Sequence, residues 1–160
     1  MASGDVLLWR ISKETPDYKA IDLTGGGAKV MGGRWNRKGT AAVYAASTIA
    51  LATLETLAHL GESISIRNAF LVSITVPRLV WAARESISAA SLPPTWLAEP
   101  PGATSIDFGN AWLRSKIGAL LLVPSIIVPE EYNVMINPAH PSAAQMTSAV
   151  TRQYIYDPRL

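Results

Sequence analysis

Cysteine is absent from this 160-residue chain, and histidine occurs only twice, at His59 and His140. Without cysteine the chain can form no disulfide and no thiolate metal site. Two histidines alone give too few nitrogen ligands for a structural zinc centre. The sequence therefore predicts a fold without covalent cross-links and without a metal site.

Charged residues are also scarce: they make up 16% of the chain, against 49% hydrophobic residues. This balance argues against disorder, and it is low in charge for a soluble protein. We therefore expect a partner to cover part of the surface. The net charge of +2 is too small an excess to indicate direct binding of nucleic acid.

Long uncharged apolar runs are missing as well. The nearest approach, residues 39–60, contains Glu55, His59 and several hydroxyl side chains, which is typical of a strand and an amphipathic helix. The first residues, MASGDVLLWRISKE, lack the basic start and the apolar run of a signal peptide. We expect a cytoplasmic protein with no membrane segment, folded as one domain over residues 1–160.

The most informative stretch is residues 32–60, GGRWNRKGTAAVYAASTIALATLETLAHL. A glycine pair precedes Arg34 and Trp35, and a β-prone run over residues 41–46 carries Tyr44. A guanidinium after glycines can fork onto phosphate oxygens. The wider glycine-rich loop, residues 24–33, is either a phosphate-binding loop or a flexible connector. The Trp35 ring is either core or a platform for an aromatic ligand.

A helix is predicted over residues 47–60, with Ser47 as its N-cap and Gly61 as its stop. It contains no lysine or arginine, and Glu55 is its only acidic residue. On a helical wheel Glu55 lies on a narrow strip with small or weakly polar neighbours, namely Thr48, Ala52 and His59. Such a strip suits the wall of a cleft; the alternative is an ordinary exposed glutamate on a thin polar face.

The rest of the chain alternates short strands with few helices, which indicates an α+β fold. Buried strands are predicted at residues 6–11, 69–76, 119–123, 126–128 and 133–136, with residues 80–81 extending the second. Helices are predicted at residues 86–92 and 107–117, a loop lies around Trp96, and residues 142–148 form a loop or a short helix.

Three polar residues stand out among these elements. Arg10 interrupts the first strand, so it either pairs with an anion or carboxylate or lies at the wet end of the strand. Ser125 lies between two apolar runs and must find a hydrogen bond if it is buried; a satisfied turn serine is the simplest interpretation. Asn137 and Pro138 form a turn signal.

Taken together, these stretches resemble the RES-domain toxins of RES–Xre bacterial toxin–antitoxin systems. That family is named for an arginine, a glutamate and a serine, which match Arg34 in GGRWN, Glu55 in ALATLETL and Ser125 in LLVPSIIVPEEYNVMINP. Further matches are WRI near the start, VYAA with Tyr44, the Asn137-Pro138 turn and the terminal DPRL. The matches follow the family's order along nearly the whole chain, and residues 81–105 carry none.

The resemblance implies a single RES domain over residues 1–160 with an ADP-ribosyltransferase-like α+β fold, in which a split mixed sheet and flanking helices surround an NAD cleft. It implies a toxin that depletes NAD by cleaving the nicotinamide–ribose bond, through hydrolysis or phosphorolysis. NAD is then a substrate, and no cofactor is expected. It also implies a Xre-family helix-turn-helix antitoxin that covers the active site, and allows homodimerisation within that complex.

On this hypothesis, Glu55 stabilises the positive charge that develops on the ribose, or activates a water or phosphate. Arg34 clamps the pyrophosphate, with help from Arg10. Tyr44 stacks on the nicotinamide or holds the ribose, and Ser125 bonds the substrate or orients Glu55. The further NAD-binding candidates are Trp35, Asn133 and Asn137.

Two alternatives stay open. One is an enzyme that transfers ADP-ribose from NAD to a protein. The other is a non-catalytic binding module of the same fold, in which Arg34 and Glu55 form a structural ion pair and the glycine-rich loop is a hinge.

Overall fold

A seven-stranded sheet organises the chain, and the computed structural model describes residues 3–60 and 68–160 of it. In chain order the strands are β1 (Val6–Lys13), β2 (Val43–Ala46), β3 (Ala69–Val76), β4 (Glu85–Ser86), β5 (Leu120–Pro124), β6 (Tyr132–Ile136) and β7 (Thr147–Gln153). Across the sheet the order is β4-β5-β6-β2-β1-β3-β7. Only β4 and β5 pair in parallel among these neighbours. The predicted α+β class with a mixed sheet is confirmed.

The sheet is weakly joined between β1 and β2. These strands pair at a single position, where Trp9 lies opposite Ala46, whereas β1 pairs with β3 along its whole length, from Val6 opposite Val76 to Lys13 opposite Ala69. The sheet therefore divides into two halves, β4-β5-β6-β2 and β1-β3-β7. Because strands that stop pairing diverge, a cleft can open at this join.

Four helices flank the sheet: α1 (Gly26–Met31), α2 (Ile49–Leu60), α3 (Arg78–Ala82) and α4 (Ala103–Ser115). Helix α2 is the predicted one, but its N-cap is Thr48, whose Oγ1 accepts a bond from the Leu51 amide at 3.1 Å. Ser47 instead donates to the carbonyl of Tyr132 at 3.3 Å. The predicted stop at Gly61 lies outside the described residues. No helix in residues 3–60 and 68–160 is long and apolar enough to cross a membrane.

Apolar side chains are buried on both faces of the sheet, because successive residues of a strand point to opposite sides. Leu120 and Val134 belong to one cluster, together with Leu8 and Ile74. Their chain neighbours belong to a second cluster beneath α4, which holds Trp35, Trp96, Trp112, Leu113, Leu121 and Met135. Trp112 and Leu113 of α4 are both buried in this second cluster.

Several predicted boundaries are wrong. The glycine-rich stretch 24–33 contains helix α1, which follows Gly25 in the left-handed conformation at φ 74°. Residues 80–81 lie in helix α3, because Pro77 ends β3 and precedes the first helical turn. Residues 86–92 form the end of β4 and a short 3₁₀ turn, and residues 126–128 bend away from the sheet.

Helix α4 begins at Ala103, four residues before the predicted position 107, and ends at Ser115. Strand β7 was not predicted, because residues 142–148 were read as a loop or short helix. A 3₁₀ turn at Pro141–Gln145 accounts for the first part of that stretch. The predicted strands at residues 6–11, 69–76, 119–123 and 133–136 are confirmed within two residues as β1, β3, β5 and β6.

Candidate active site

A cleft of about 1230 Å³ lies where β1 and β2 diverge. Its walls come from Trp9, Arg10 and Ile11 of β1, from the turn that precedes β2, from α2, from the loop near Glu99 and from the ends of β5 and β6. Five sequence-predicted residues besides Arg10 line it: Arg34, Trp35, Tyr44, Glu55 and Asn133. Segments far apart in the chain thus converge on one cavity.

The Glu55 carboxylate is held by two side chains that reach it from β6 and the end of β5. The Ser125 hydroxyl donates to Oε1 at 2.6 Å, and the Asn133 amide donates to the same oxygen at 2.7 Å. No described residue donates a hydrogen bond to Oε2. One carboxylate oxygen is therefore anchored, the other has no donor among the described residues, and the Glu55 side chain as a whole lines the cleft.

The β5–β6 hairpin explains why both donors meet Glu55. Val123 lies opposite Asn133 in the pairing of β5 with β6, and Ser125 follows directly after β5. The Ser125 amide donates to the Glu131 carbonyl at 2.9 Å, which closes the loop. Ser125 and Asn133 thus lie at the same end of the hairpin, which faces α2.

Ser125 is fully buried, with 0% of its surface exposed, and it does not line the cleft. Besides its bond to Glu55, its hydroxyl oxygen accepts bonds from the amides of Ile127 and Val128, each at 3.1 Å. It is both a satisfied turn serine and a donor to the carboxylate. The geometry therefore places it to orient Glu55, and not to touch a ligand in the cleft.

Arg34 forms a fork toward the loop that precedes α4. Its Nη1 donates to the carbonyls of Trp96 at 3.1 Å and Ala98 at 2.9 Å, and its Nη2 forms an ion pair with Glu99. The Arg34 side chain is 11% exposed, whereas that of Glu99 is 72% exposed. The alternative of a structural Arg34–Glu55 ion pair is therefore wrong, because each side chain has other partners.

Tyr44 supports the turn that carries Arg34. Its hydroxyl donates to Asn36 Oδ1 at 2.6 Å and accepts from the Trp35 amide at 3.1 Å. Burial raises the pKa of Tyr44 well above its usual value, against the weaker opposing effects of the Trp35 amide and the Arg34 charge. The phenol is therefore neutral at physiological pH, and its ring lies against the cleft.

Asn36 was not proposed as a site residue, although it completes this turn. Its Nδ2 donates to the carbonyls of Ala28 at 2.9 Å and Thr40 at 3.0 Å, so one buried side chain ties α1 to the approach to β2. The only sequence signal was its position next to Arg34 and Trp35. Glu99 was also missed, because it lies in the stretch without family motifs.

Arg10 lines the cleft from β1 with no carboxylate bonded to it among the described residues. Its Nη1 donates weakly to the Asp22 carbonyl at 3.5 Å, and its buried Nε has no hydrogen-bond partner. Burial lowers the pKa of Arg10, and the nearby Asp22 charge partly opposes this. Arg10 is half-buried in the middle of β1 and does not lie at an exposed end of the strand, and the anion expected to pair with it stays a prediction.

Two predicted NAD-binding residues have mainly structural contacts. Trp35 is 3% exposed and packs against Trp96 and Phe108, with ring centroids 6.1 and 6.3 Å away, although it also lines the cleft. Asn137 does not line the cleft: its Nδ2 donates to the Leu113 carbonyl at 2.9 Å. Its Oδ1 accepts from the Ala139 amide at 3.1 Å, as the predicted turn requires.

In the part of the chain that the structure describes, no three histidine, aspartate or glutamate side chains come together in a way that could hold a metal ion. The cleft instead offers a mainly cationic lining, from Arg10, Arg34, Arg37 and Lys38, with Glu55 and Glu99 as its acidic residues. Such a lining suits an anionic ligand next to an anchored carboxylate. The chemical roles assigned to these residues stay predictions.

Comparison with known proteins gives consistent results. A family model described as the RES domain matches residues 7–157. The chain is 51% identical over 152 residues to the "Prs ADP-ribosylating toxin" of Sphingobium sp. (strain YBL2), covering 95% of this chain and 94% of that protein. It is 38% identical over 156 residues to "Toxin Res" of Yersinia enterocolitica, covering 97% of this chain and 99% of that protein.

A solved structure gives the same fold. A chain of the M. tuberculosis MbcT–MbcA toxin–antitoxin complex matches with a TM-score of 0.66 at 17% identity, covering 92% of this chain and 85% of that one. At this identity the likeness concerns the fold alone. Because the family model and the sequence relatives both span almost the whole chain, the protein belongs to the RES-domain family.

Proposed function

We propose that this protein is a toxin that consumes NAD by cleaving the bond between nicotinamide and ribose. One observation carries the proposal: Glu55 lies in a cation-lined cleft with one carboxylate oxygen anchored by Ser125 and Asn133 and the other unbonded by any described residue. The names of the relatives, which call them toxins and which belong to proteins matched over almost their whole length, support it.

The chemistry of NAD needs such a carboxylate. Nicotinamide leaves as a neutral molecule, so no general acid is required, and the barrier lies in the positive charge that develops on the ribose. A carboxylate already oriented by two donors can stabilise that charge, or take a proton from an incoming water or phosphate, without reorganising during the reaction. Glu55 Oε2 is the atom assigned to this role.

The cations of the lining are assigned to the pyrophosphate. Arg34 has five N–H donors, of which three are used by the Trp96 and Ala98 carbonyls and by Glu99, so two remain for a phosphate. Arg10 brings a half-buried guanidinium whose buried Nε has no hydrogen-bond partner among the described residues, and a phosphate oxygen would satisfy it. Tyr44 and Trp35 would supply aromatic surface to the nicotinamide or ribose.

A covering partner follows from the same surface. We assign to this role a Xre-family helix-turn-helix antitoxin, since the structural neighbour comes from a toxin–antitoxin complex. Met31 lines the cleft and is 74% exposed, and Leu97, beside the carbonyls that bind Arg34, is 47% exposed. Apolar side chains at such a rim are suited to burial by another protein. The proposal requires no cofactor, because NAD is the substrate.

The test is to incubate the purified chain with NAD, with and without inorganic phosphate, and to follow nicotinamide release. Glu55→Gln keeps the shape of the side chain and removes its charge, so release should fall by roughly 10²–10⁴-fold while circular dichroism stays unchanged. Glu130→Gln, an exposed glutamate outside the cleft lining, is the matched control and should keep full activity. Wild-type rates in Glu55→Gln would refute the role of Glu55.

A second candidate is transfer of ADP-ribose to a protein, which the name of the Sphingobium relative favours. The same assay separates the two. Nicotinamide release without any protein acceptor supports hydrolysis, or phosphorolysis if the release depends on phosphate. If release requires an added protein that becomes labelled with ADP-ribose, transfer is the reaction.

A further inference from the structure

The ion pair between Arg34 and Glu99 joins the predicted pyrophosphate clamp to a stretch of chain with no family motif. The carbonyls of Trp96 and Ala98 and the carboxylate of Glu99 take three of the five Arg34 donors. A phosphate bound by the remaining two donors would share its guanidinium with the Glu99 carboxylate. Arg34 would therefore bridge Glu99 and any phosphate that it binds.

Glu99 is itself part of the cleft wall. It lines the cleft, its side chain is 72% exposed, and its Oε1 accepts no hydrogen bond from a described residue. An exposed carboxylate oxygen beside a dinucleotide phosphate can accept hydrogen bonds from ribose hydroxyls. Dinucleotide-binding folds use an acidic residue in this way on the 2′-hydroxyl of NAD, and an arginine where a 2′-phosphate must be accommodated.

The separate partners of Glu55 and Arg34 indicate which ribose Glu99 would meet. Glu55 is held by Ser125 and Asn133, and Arg34 by the loop before α4; the two residues share no partner. With Glu55 at the nicotinamide ribose and Arg34 at the pyrophosphate, the remaining ribose is that of the adenosine, on the far side of Arg34. Glu99 is the acidic residue of the lining at that end.

We infer that Glu99 is a specificity-determining residue, which accepts the adenosine ribose of NAD and rejects the 2′-phosphate of NADP by charge repulsion. The inference rests on the proposed function. A 2′-phosphate monoester adds between one and two negative charges at neutral pH, opposite a carboxylate whose countercharge Arg34 already shares with the pyrophosphate. Arg37 is itself paired with Asp107, and the other lining cations besides Arg34, namely Arg10 and Lys38, form no ion pair with a described residue.

Binding measured without turnover tests this. In a Glu55→Gln background, calorimetry would give the dissociation constants of NAD and NADP with Glu99 intact, with Glu99→Gln, and with Asp157→Asn. With Glu99 intact we expect NAD to bind at least about tenfold more tightly than NADP. Glu99→Gln should reduce that ratio to about threefold or less, mainly by tightening NADP. Asp157→Asn removes an exposed carboxylate that is paired with Arg159 and is not part of the cleft lining, so it should change neither dissociation constant.

The outcomes are distinguishable. Equal weakening of both dinucleotides by Glu99→Gln would mean that Glu99 only positions Arg34, and would overturn the inference. Equal binding of NAD and NADP with Glu99 intact would also overturn it. The unmodified protein could bind and cleave NAD while Glu99→Gln leaves the ratio of the NAD and NADP dissociation constants unchanged. In that case the proposed function stands and the inference alone fails. If the unmodified protein neither binds nor cleaves NAD, both the proposed function and the inference fail.

Discussion

Replacing Ser125 by alanine would test whether the carboxylate is oriented by a buried hydroxyl. The substitution removes the 2.6 Å hydrogen bond to Glu55 Oε1 and leaves Asn133 as the remaining donor to that oxygen. A hydrogen bond to a charged group contributes about 1.5–3 kcal/mol. If that energy acts mainly in the transition state, kcat for NAD cleavage should fall roughly 10- to 150-fold.

The same change has a separate cost in folding. Alanine leaves the amides of Ile127 and Val128 without their acceptor at 3.1 Å. Because Ile127 is 39% exposed, water can replace part of this bonding. We expect the free energy of unfolding to fall by about 1–3 kcal/mol, which is the cost of leaving one buried amide without a hydrogen-bond acceptor.

Kinetics and urea unfolding together would separate the two effects. Ser125 is 0% exposed and does not line the cleft, so KM for NAD should change less than threefold, by roughly 0.6 kcal/mol at most. Asn133→Ala is the matched control: it removes the other donor to Oε1 but no acceptor of a backbone amide, so kcat should fall with little loss of stability. An unchanged kcat in Ser125→Ala, or a rise in KM alone, would refute the orienting role.

Three further predictions concern the frame of the cleft. Tyr44→Phe should lower the free energy of unfolding, because the Trp35 amide loses its acceptor. Burial raises the pKa of Tyr44 above the usual tyrosine value of about 10, so the wild type should lose stability as pH rises above about 10. The variant should lose less, as measured by urea unfolding between about pH 8 and 11. Gly109→Ala would place a Cβ 2.1 Å from the Trp35 carbonyl oxygen, so the free energy of unfolding should fall by about 2–4 kcal/mol, as measured by thermal unfolding. At Gly27 an added Cβ meets nothing within 4 Å, so Gly27→Ala is the matched control and should stabilise α1 by about 0.5–1 kcal/mol. Arg34→Lys should raise KM for NAD roughly tenfold with a smaller effect on kcat, because an ammonium cannot hold two carbonyls and a carboxylate in the plane of a fork.

The position of Glu55 was predictable because the spacing of apolar residues along a helix indicates the direction in which each side chain points. A lone acidic residue on a strip of small neighbours, in a helix without cations, indicated a cleft wall, and the structure places Glu55 there. The need of Ser125 for a hydrogen bond was likewise predictable from its apolar flanks. That its partner is Glu55 depends on the register of the β5–β6 hairpin, which local sequence does not encode.

Segments whose sequence has no hydrophobic periodicity were not predicted. The sequence of β7, TSAVTRQ, has no apolar alternation, because this edge strand is exposed on most of its length. Glu99 lies among prolines in an irregular loop, so nothing in its neighbours indicated that it would meet a guanidinium 65 residues away in sequence. The cap of α2 depended on backbone geometry at two adjacent hydroxyl residues, Ser47 and Thr48, which have similar capping propensities.

The two halves of the site differ in what holds them, and this bears on how a partner could inhibit the protein. Glu55 is fixed by donors on the sheet and by a serine that is fully buried, so a protein binding at the surface has little means of moving it. Arg34 is fixed by a loop whose Glu99 is largely exposed. An antitoxin that covers the cleft would therefore meet the Arg34–Glu99 end directly, and a cationic or hydrogen-bonding residue that engages Glu99 would also alter the site assigned to the pyrophosphate. Inhibition would then act on NAD binding and leave the position of the Glu55 carboxylate unchanged.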